Sequence, residues 1–177
     1  MPFIHPINPA NANAEVASTL SAVKGKLGMV PNLFATLAHA PTVLKGYLGL
    51  ADTLGGGRLT SAQREIIALA VGQANSCQYC LSAHTLLGQG AGLNSNDIAQ
   101  ARNGNAATRL DAALAGLARK LTEQRGMLES SDLEAYRHAG VDDGLMLEVV
   151  AAVALNTLTN YANHVAGTEV DFPAVKV

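Results

Sequence analysis

The sequence predicts an all-α domain. Alanine and leucine dominate the chain, alternating β-branched residues are almost absent, and turn residues recur at short intervals. The 177 residues fit one domain, which we place over residues 1–177 with an extended tail over residues 1–12. The predicted helices span Asn13–Leu27, Pro31–Ala38, Pro41–Leu54, Ser61–Ala74, Cys77–Gly88, Ser95–Arg102, Ala106–Gln124, Ser131–Ala139 and Asp143–Val165.

The helix boundaries rest on capping signals. Thr60 with Gln63, and Ser131 with Glu134, have the spacing of capping boxes. We expect the helices Ser61–Ala74 and Cys77–Gly88 to form a central antiparallel pair, with the last helix packed against it. Glycines predicted to end helices are Gly92, Gly104, Gly126 and Gly140.

Composition excludes several partners. The net charge of −2, with four Tyr and three Phe, provides neither a basic stripe nor a stacking platform, so we expect no nucleic acid. The apolar run Leu145–Leu155 contains Glu148 and is too short for a bilayer, so we expect no membrane. No Lys or Arg precedes Lys24 and no secretory signal is recognisable, which predicts a cytoplasmic protein.

The balance of charged and apolar residues predicts self-association. Only 15% of the residues are charged, whereas 49% are hydrophobic. The last helix is apolar nearly all round, which suits either a core helix or an interface between subunits. We therefore expect a symmetric homo-oligomer.

The chemistry is concentrated in the segment Cys77–His84. On a helix that begins at Cys77 and is capped by Asn75 or Ser76, the side chains of Cys77, Cys80 and His84 share one face. The helix start favours thiolate, and the nearby histidine can exchange a proton near neutral pH. The pattern predicts a redox dithiol with its own acid–base group.

Glu65 extends this candidate site. It belongs to the run Arg64–Val71, which is too apolar for an ordinary solvated carboxylate. If the two helices form a hairpin, Glu65 faces His84 and can orient its imidazole. The alternative is an ion pair with Arg58 or another arginine.

The complete motif resembles a known family. The motif consists of Glu65, a gap of eleven residues, Cys77, a gap of two, Cys80, a gap of three, and His84. This pattern looks like the signature of the AhpD-like alkylhydroperoxidases, within the carboxymuconolactone decarboxylase family. The resemblance covers most of the chain from Met29 onward. Further segments that resemble the subgroup called peroxidase-related enzymes are Val30–Pro41, Leu59–Glu65 and Asn156–Tyr161.

The resemblance implies a thiol-dependent hydroperoxide reductase of trimeric or hexameric assembly. Cys80 would attack the peroxide, Cys77 would resolve the product as a disulfide, and a dithiol or lipoyl-type donor would restore both thiols. Glu65 and His84 would relay protons, and no cofactor or metal is expected. The helix dipole alone favours Cys77 as the more acidic thiol, but its effect of about 0.3–1 kcal/mol is smaller than that of a neighbouring base.

Tyr79 departs from the family pattern. The best-known members carry a histidine at this position, between the cysteines. A phenol donates hydrogen bonds but is a poor base at neutral pH. Tyr79 is therefore either a catalytic donor or a packing residue.

Other functions stay open at this point. Cys77, Cys80 and His84 could be three zinc ligands of a non-redox protein, although no fourth ligand follows at a zinc-site spacing. The chain could also be a purely structural homo-oligomer. A decarboxylase-like enzyme is a further alternative, although that branch normally lacks the paired cysteines.

Polar residues recur at helical spacing on the last helix, where they line a pocket or satisfy buried backbone. We favour a structural role for Asn163 and leave the role of His164 open. The polar residues of this stripe are Asn156, Asn160, Asn163 and His164.

Overall fold

A computed structural model describes residues 1–177 and contains nine α-helices and no β-strand. The all-α prediction is therefore confirmed. A 3₁₀ turn at Pro9–Asn11 precedes the first α-helix. The helices are α1 (Ala14–Leu27), α2 (Asn32–Leu37), α3 (Pro41–Gly55), α4 (Ser61–Ala74), α5 (Gln78–Gly90), α6 (Ser95–Arg102), α7 (Arg109–Glu123), α8 (Ser130–His138) and α9 (Asp143–Ala166).

The capping box predicted at the start of α4 is confirmed. The Thr60 hydroxyl accepts the backbone N–H of Gln63 at 3.2 Å, and the Gln63 side chain accepts the N–H of Thr60 at 3.0 Å. Each glycine predicted to end a helix has a positive φ, which confirms these stops: Gly92, Gly104, Gly126 and Gly140.

The capping box predicted at Ser131 and Glu134 is wrong. Helix α8 begins one residue earlier, with Glu129 as its N-cap. The Asp132 carboxylate accepts the Glu129 N–H at 3.2 Å. The pairs Glu129–Asp132 and Ser131–Glu134 both have the spacing of a capping box, and the Glu129–Asp132 box is the one that forms.

The predicted start of α7 at Ala106 is also wrong. The helix begins at Arg109, because the Thr108 hydroxyl accepts the backbone N–H of Asp111 at 3.1 Å and caps the helix there. High helix propensity at Ala106 and Ala107 does not extend α7 past this cap.

Helix α4 forms the centre of the domain. It packs against α5, α6, α7 and α9, and its residues 66–72 are all buried. Ile67 and Val71 of α4 join Leu114 of α7 and Val149 of α9 in the largest hydrophobic cluster. The expected central pair of α4 and α5, with α9 packed beside it, is confirmed.

Helix α9 is buried on one face only. Val149 and Asn160 face the interior, whereas Leu147 is 69% exposed and Val165 is 68% exposed. By length and composition α9 is also the one helix that could cross a membrane, although core helices of soluble proteins pass the same test. Within a single chain, α9 therefore buries one face and leaves apolar side chains exposed on the other.

The two chain ends pack onto the helices. The N–H groups of Phe3 and Ile4 both donate to the carbonyl of Ala166 at the end of α9. Near the other end, the Val175 N–H donates to the Ser82 hydroxyl on α5 at 3.1 Å. The C-terminal segment therefore lies along the helix that carries Cys80.

Candidate active site

Cys77 is the N-cap residue of α5. Its sulfur accepts the backbone N–H of Cys80 at 3.3 Å. The prediction that Asn75 or Ser76 caps the helix is wrong, because Ser76 turns the chain with a φ of 54° and an N-cap needs extended backbone. Cys77 has that extended conformation, so its sulfur takes the place of a capping oxygen.

Cys77 and Cys80 form a disulfide with a Cα–Cα separation of 5.4 Å. The residues are 1% and 2% exposed, respectively. The disulfide therefore lies buried at the start of α5. No group of three His, Cys, Asp or Glu side chains has the arrangement of a metal site, so nothing in the structure supports the zinc interpretation.

Glu65 and His84 form a half-buried pair across the α4–α5 hairpin. The Glu65 carboxylate lies 2.7 Å from Nδ1 of His84. The alternative partners of Glu65 are engaged elsewhere: Arg58 pairs with Asp142, and Arg64 donates to the carbonyl of Leu59. When Nδ1–H donates to the carboxylate, Nε2 is the nitrogen that accepts or returns a proton.

The hydroxyl of Tyr79 contacts the backbone and the C-terminal segment. The hydroxyl accepts the Leu33 N–H at 3.2 Å. The Phe172 ring packs edge-on against the Tyr79 ring, with 5.5 Å between the ring centroids. Burial raises the pKa of Tyr79, and the nearby Asp171 carboxylate raises it further. Tyr79 therefore stays a neutral phenol at physiological pH, with its hydroxyl bonded to α2.

An apolar cavity of about 160 Å³ opens beside Cys80. Cys80 and His84 both line it, whereas Cys77 does not. Its walls come from distant parts of the chain, which include Leu33, Phe34, Tyr47, Leu87 and Phe172. The cavity gives one of the two sulfurs, and the histidine, a shared apolar space for a small molecule.

Tyr47 is a cavity residue that the sequence reasoning missed. It lies on α3, with its ring centroid 5.5 Å from that of Phe34. Burial raises the pKa of Tyr47 to about 12, and the charge of Glu65 contributes in the same direction. No motif spacing links α3 to the cysteines, so only the folded chain reveals this residue.

The asparagines of α9 differ in their partners. Asn156 donates to the Ala152 carbonyl, and Asn160 accepts from the side chain of Asn75. Asn163 instead donates to Cys80 Sγ at 3.3 Å. The neighbouring His164 is exposed.

Residues 41–124, which include Glu65, both cysteines and His84, match the model of the carboxymuconolactone decarboxylase family. A peroxidase-related protein from Ralstonia eutropha, described as an alkylhydroperoxidase AhpD core, superposes with a TM-score of 0.84 at 26% identity. That match covers 95% of this chain and 93% of the other. Together these matches confirm the resemblance: the chain has the AhpD-like fold over most of its length, and its residues 41–124 resemble the carboxymuconolactone decarboxylase family.

The matched proteins differ in their named activities. An alkyl hydroperoxide reductase of Mycobacterium tuberculosis is 30% identical over 90 residues, which are 50% of this chain and 26% of that protein. This chain thus spans about a quarter of that relative's length. The debrominase Bmp8, crystallised with 2,3,4-tribromopyrrole, shares the fold at 16% identity, with a TM-score of 0.80 over 96% of this chain and 91% of that one.

Proposed function

We propose that this protein is a thiol-dependent hydroperoxide reductase in which Cys80 attacks the peroxide and Cys77 resolves the product. The observation that carries the proposal is the cavity, which Cys80 and His84 line and Cys77 does not. A peroxide in that space meets one sulfur and one acid–base group together. The named activity of the M. tuberculosis relative supports the same reaction class.

In the first step, His84 takes the proton of the Cys80 thiol. The thiolate attacks the terminal oxygen of the hydroperoxide, and the O–O bond breaks. Cys80 becomes a sulfenic acid, and the alkoxide leaves as an alcohol with the proton that His84 returns. Glu65, bonded to Nδ1, stabilises the imidazolium that exists between these two events.

In the second step, the Cys77 thiol attacks the sulfur of the sulfenic acid and water leaves. The product is the Cys77–Cys80 disulfide, the state that the structure describes. A dithiol or lipoyl-type donor then reduces the disulfide by thiol exchange and is itself oxidised. The sum is one hydroperoxide and one dithiol converted to an alcohol, water and an oxidised donor, without a bound cofactor.

The proposal extends to the setting of the enzyme. The exposed apolar face of α9 supports a homo-oligomer, trimeric or hexameric as the family resemblance implies. A cytoplasmic location fits a dithiol that must be reduced after every turnover.

Single-cysteine variants test the division of labour. Cys77→Ser is expected to consume one equivalent of tert-butyl hydroperoxide per chain and to leave a dimedone-trappable sulfenic acid at position 80. Cys80→Ser is expected to do neither. A sulfenic acid at Cys77 in the Cys80→Ser protein would reverse the assigned roles.

His84→Ala in the Cys77→Ser background separates rate from stoichiometry. We expect slower formation of the sulfenic acid, by about 10²-fold or more, with one equivalent still consumed. His39→Ala is the matched control, because His39 is exposed and its imidazole hydrogen-bonds to the carbonyl of His5 in the N-terminal tail. Equal rates in the two variants would remove His84 from the mechanism.

A further inference from the structure

The side-chain amide of Asn163 lies against the cysteine pair. Its Nδ2 is 3.3 Å from Cys80 Sγ and 3.9 Å from Cys77 Sγ. The residue is 4% exposed and comes from α9, more than eighty positions along the chain from Cys80. The contact therefore joins α5 and α9, which are far apart in the sequence.

The buried side-chain amide of Asn163 has few hydrogen-bond partners. A buried amide loses its hydration, which costs about 1–3 kcal/mol unless hydrogen bonds replace it. The Oδ1 of Asn163 is buried without a hydrogen-bond partner, and Nδ2 donates only to sulfur. By contrast, Asn156 on the same helix donates to a backbone carbonyl. The two cysteine sulfurs are thus the acceptors that the Asn163 amide has in place of a backbone carbonyl.

The two sulfurs share the Asn163 donor, at 3.3 Å from Cys80 Sγ and 3.9 Å from Cys77 Sγ, but only Cys77 Sγ has a second donor. The backbone N–H of Cys80 donates to Cys77 Sγ at the start of α5. Cys80 Sγ takes no part in that cap and receives its hydrogen bond from Asn163. Hydrogen bonds to a charged acceptor are roughly twice as strong as those between neutral groups, so this donor favours the thiolate over the thiol.

We propose that Asn163 is the hydrogen-bond donor that stabilises the thiolate of Cys80 in the reduced protein. The inference deepens the proposed function, on which it rests for the role of Cys80. It assigns to α9 a group that contacts the reacting sulfur, beside the Glu65–His84 pair on the hairpin.

The pH dependence of alkylation tests the inference without any peroxide. In Cys77→Ser protein, where serine keeps the helix cap, Cys80 is the one thiol and its iodoacetamide rate rises with the thiolate fraction. Adding Asn163→Leu or Asn163→Ala is expected to raise the pH at which the alkylation rate is half-maximal, the midpoint, by about one to two pH units. Asn156→Leu, a buried asparagine on the same helix, is expected to leave it unchanged.

A midpoint that stays in place in folded Asn163 variants, or moves equally in Asn156→Leu, overturns the inference. The Cys77→Ser protein without further changes supplies a second readout by NMR. Its Asn163 side-chain N–H signals are expected to shift with the Cys80 midpoint, and signals that stay fixed also overturn it. A raised midpoint in a protein that peroxide does not oxidise refutes the proposed function alone.

Discussion

At the scale of single residues, the Glu65–His84 pair decides how the proposed proton relay works. The Glu65 carboxylate is hydrogen-bonded to Nδ1 of His84, so Nε2 is the nitrogen that can exchange protons in the cavity. The pair is half-buried, so water competes with it less than with a surface ion pair.

Glu65→Gln tests this pair. The amide keeps the size of the side chain but lacks the charge that stabilises the imidazolium. We expect oxidation of Cys80 by tert-butyl hydroperoxide to slow by about 10–100-fold, while thiol stoichiometry is unchanged. Stopped-flow measurements on the Cys77→Ser background give the rate.

Glu123→Gln is the matched control, because that carboxylate pairs with Arg119 on the surface of α7. A Glu65→Gln rate within twofold of the parent rate would show that the carboxylate has only a structural role.

The sequence predicted the proximity of Glu65 to His84 and of Cys77 to Cys80, because the spacing of these residues on two adjacent helices encodes it. For Asn163 the sequence showed only a polar stripe on the last helix and favoured a structural role, because its position relative to Cys80 depends on how α9 packs against α5, which local spacing does not determine. The cavity residue Tyr47 on α3 was not predicted for the same reason.

At the scale of helices, an ion pair ties the start of α9 to the segment before α4. The Arg58 guanidinium, hydrogen-bonded to Asp142, holds the pKa of that carboxyl well below its usual value of 3.8, and the Leu145 N–H helps. A carboxyl group whose pKa is lower in the folded than in the unfolded state stabilises the fold at pH values above its ordinary pKa. The contribution disappears as the pH falls through the lower, folded-state pKa.

Asp142→Asn should therefore destabilise the protein at pH 6 and much less at pH 2. Urea unfolding of both proteins across this range gives the two free energies of unfolding. A difference that stays constant with pH would mean that the Arg58–Asp142 pair contributes nothing through its charge. Asp52→Asn, at a surface pair with Lys26, is the control.

Helix boundaries were predictable where one cap signal stood alone, as at Thr60. The start of α8 was not predictable, because its N-cap Glu129 lies outside the usual set of capping residues, whereas Ser131 belongs to that set. The cap by Cys77 was missed because a sulfur acceptor lies outside the usual set of capping residues.

At the scale of the whole molecule, the exposed apolar face of α9 is the feature that a single chain leaves unexplained. Its members are Leu147, Val150, Leu158, Tyr161 and Val165. The sequence predicted both the all-α fold and an apolar last helix. It could not tell a core helix from an interface, because both need the same composition.

Leu158→Lys with Val165→Lys tests the proposed assembly. We expect the wild-type protein to sediment as an oligomer and the double variant as an 18 kDa chain with the same far-ultraviolet spectrum. Ala99→Lys, on the exposed face of α6, should leave the oligomer intact. A monomeric wild type at micromolar concentration would contradict the proposal.

The most direct test of the central claim is a thiol count on the wild-type protein. Reduced protein is mixed with one equivalent of tert-butyl hydroperoxide per chain, and its two cysteines are titrated before and after. The proposed function predicts that both thiols disappear together, that the chain becomes lighter by two hydrogens, and that dihydrolipoamide restores both. Two thiols that persist under excess peroxide would contradict it.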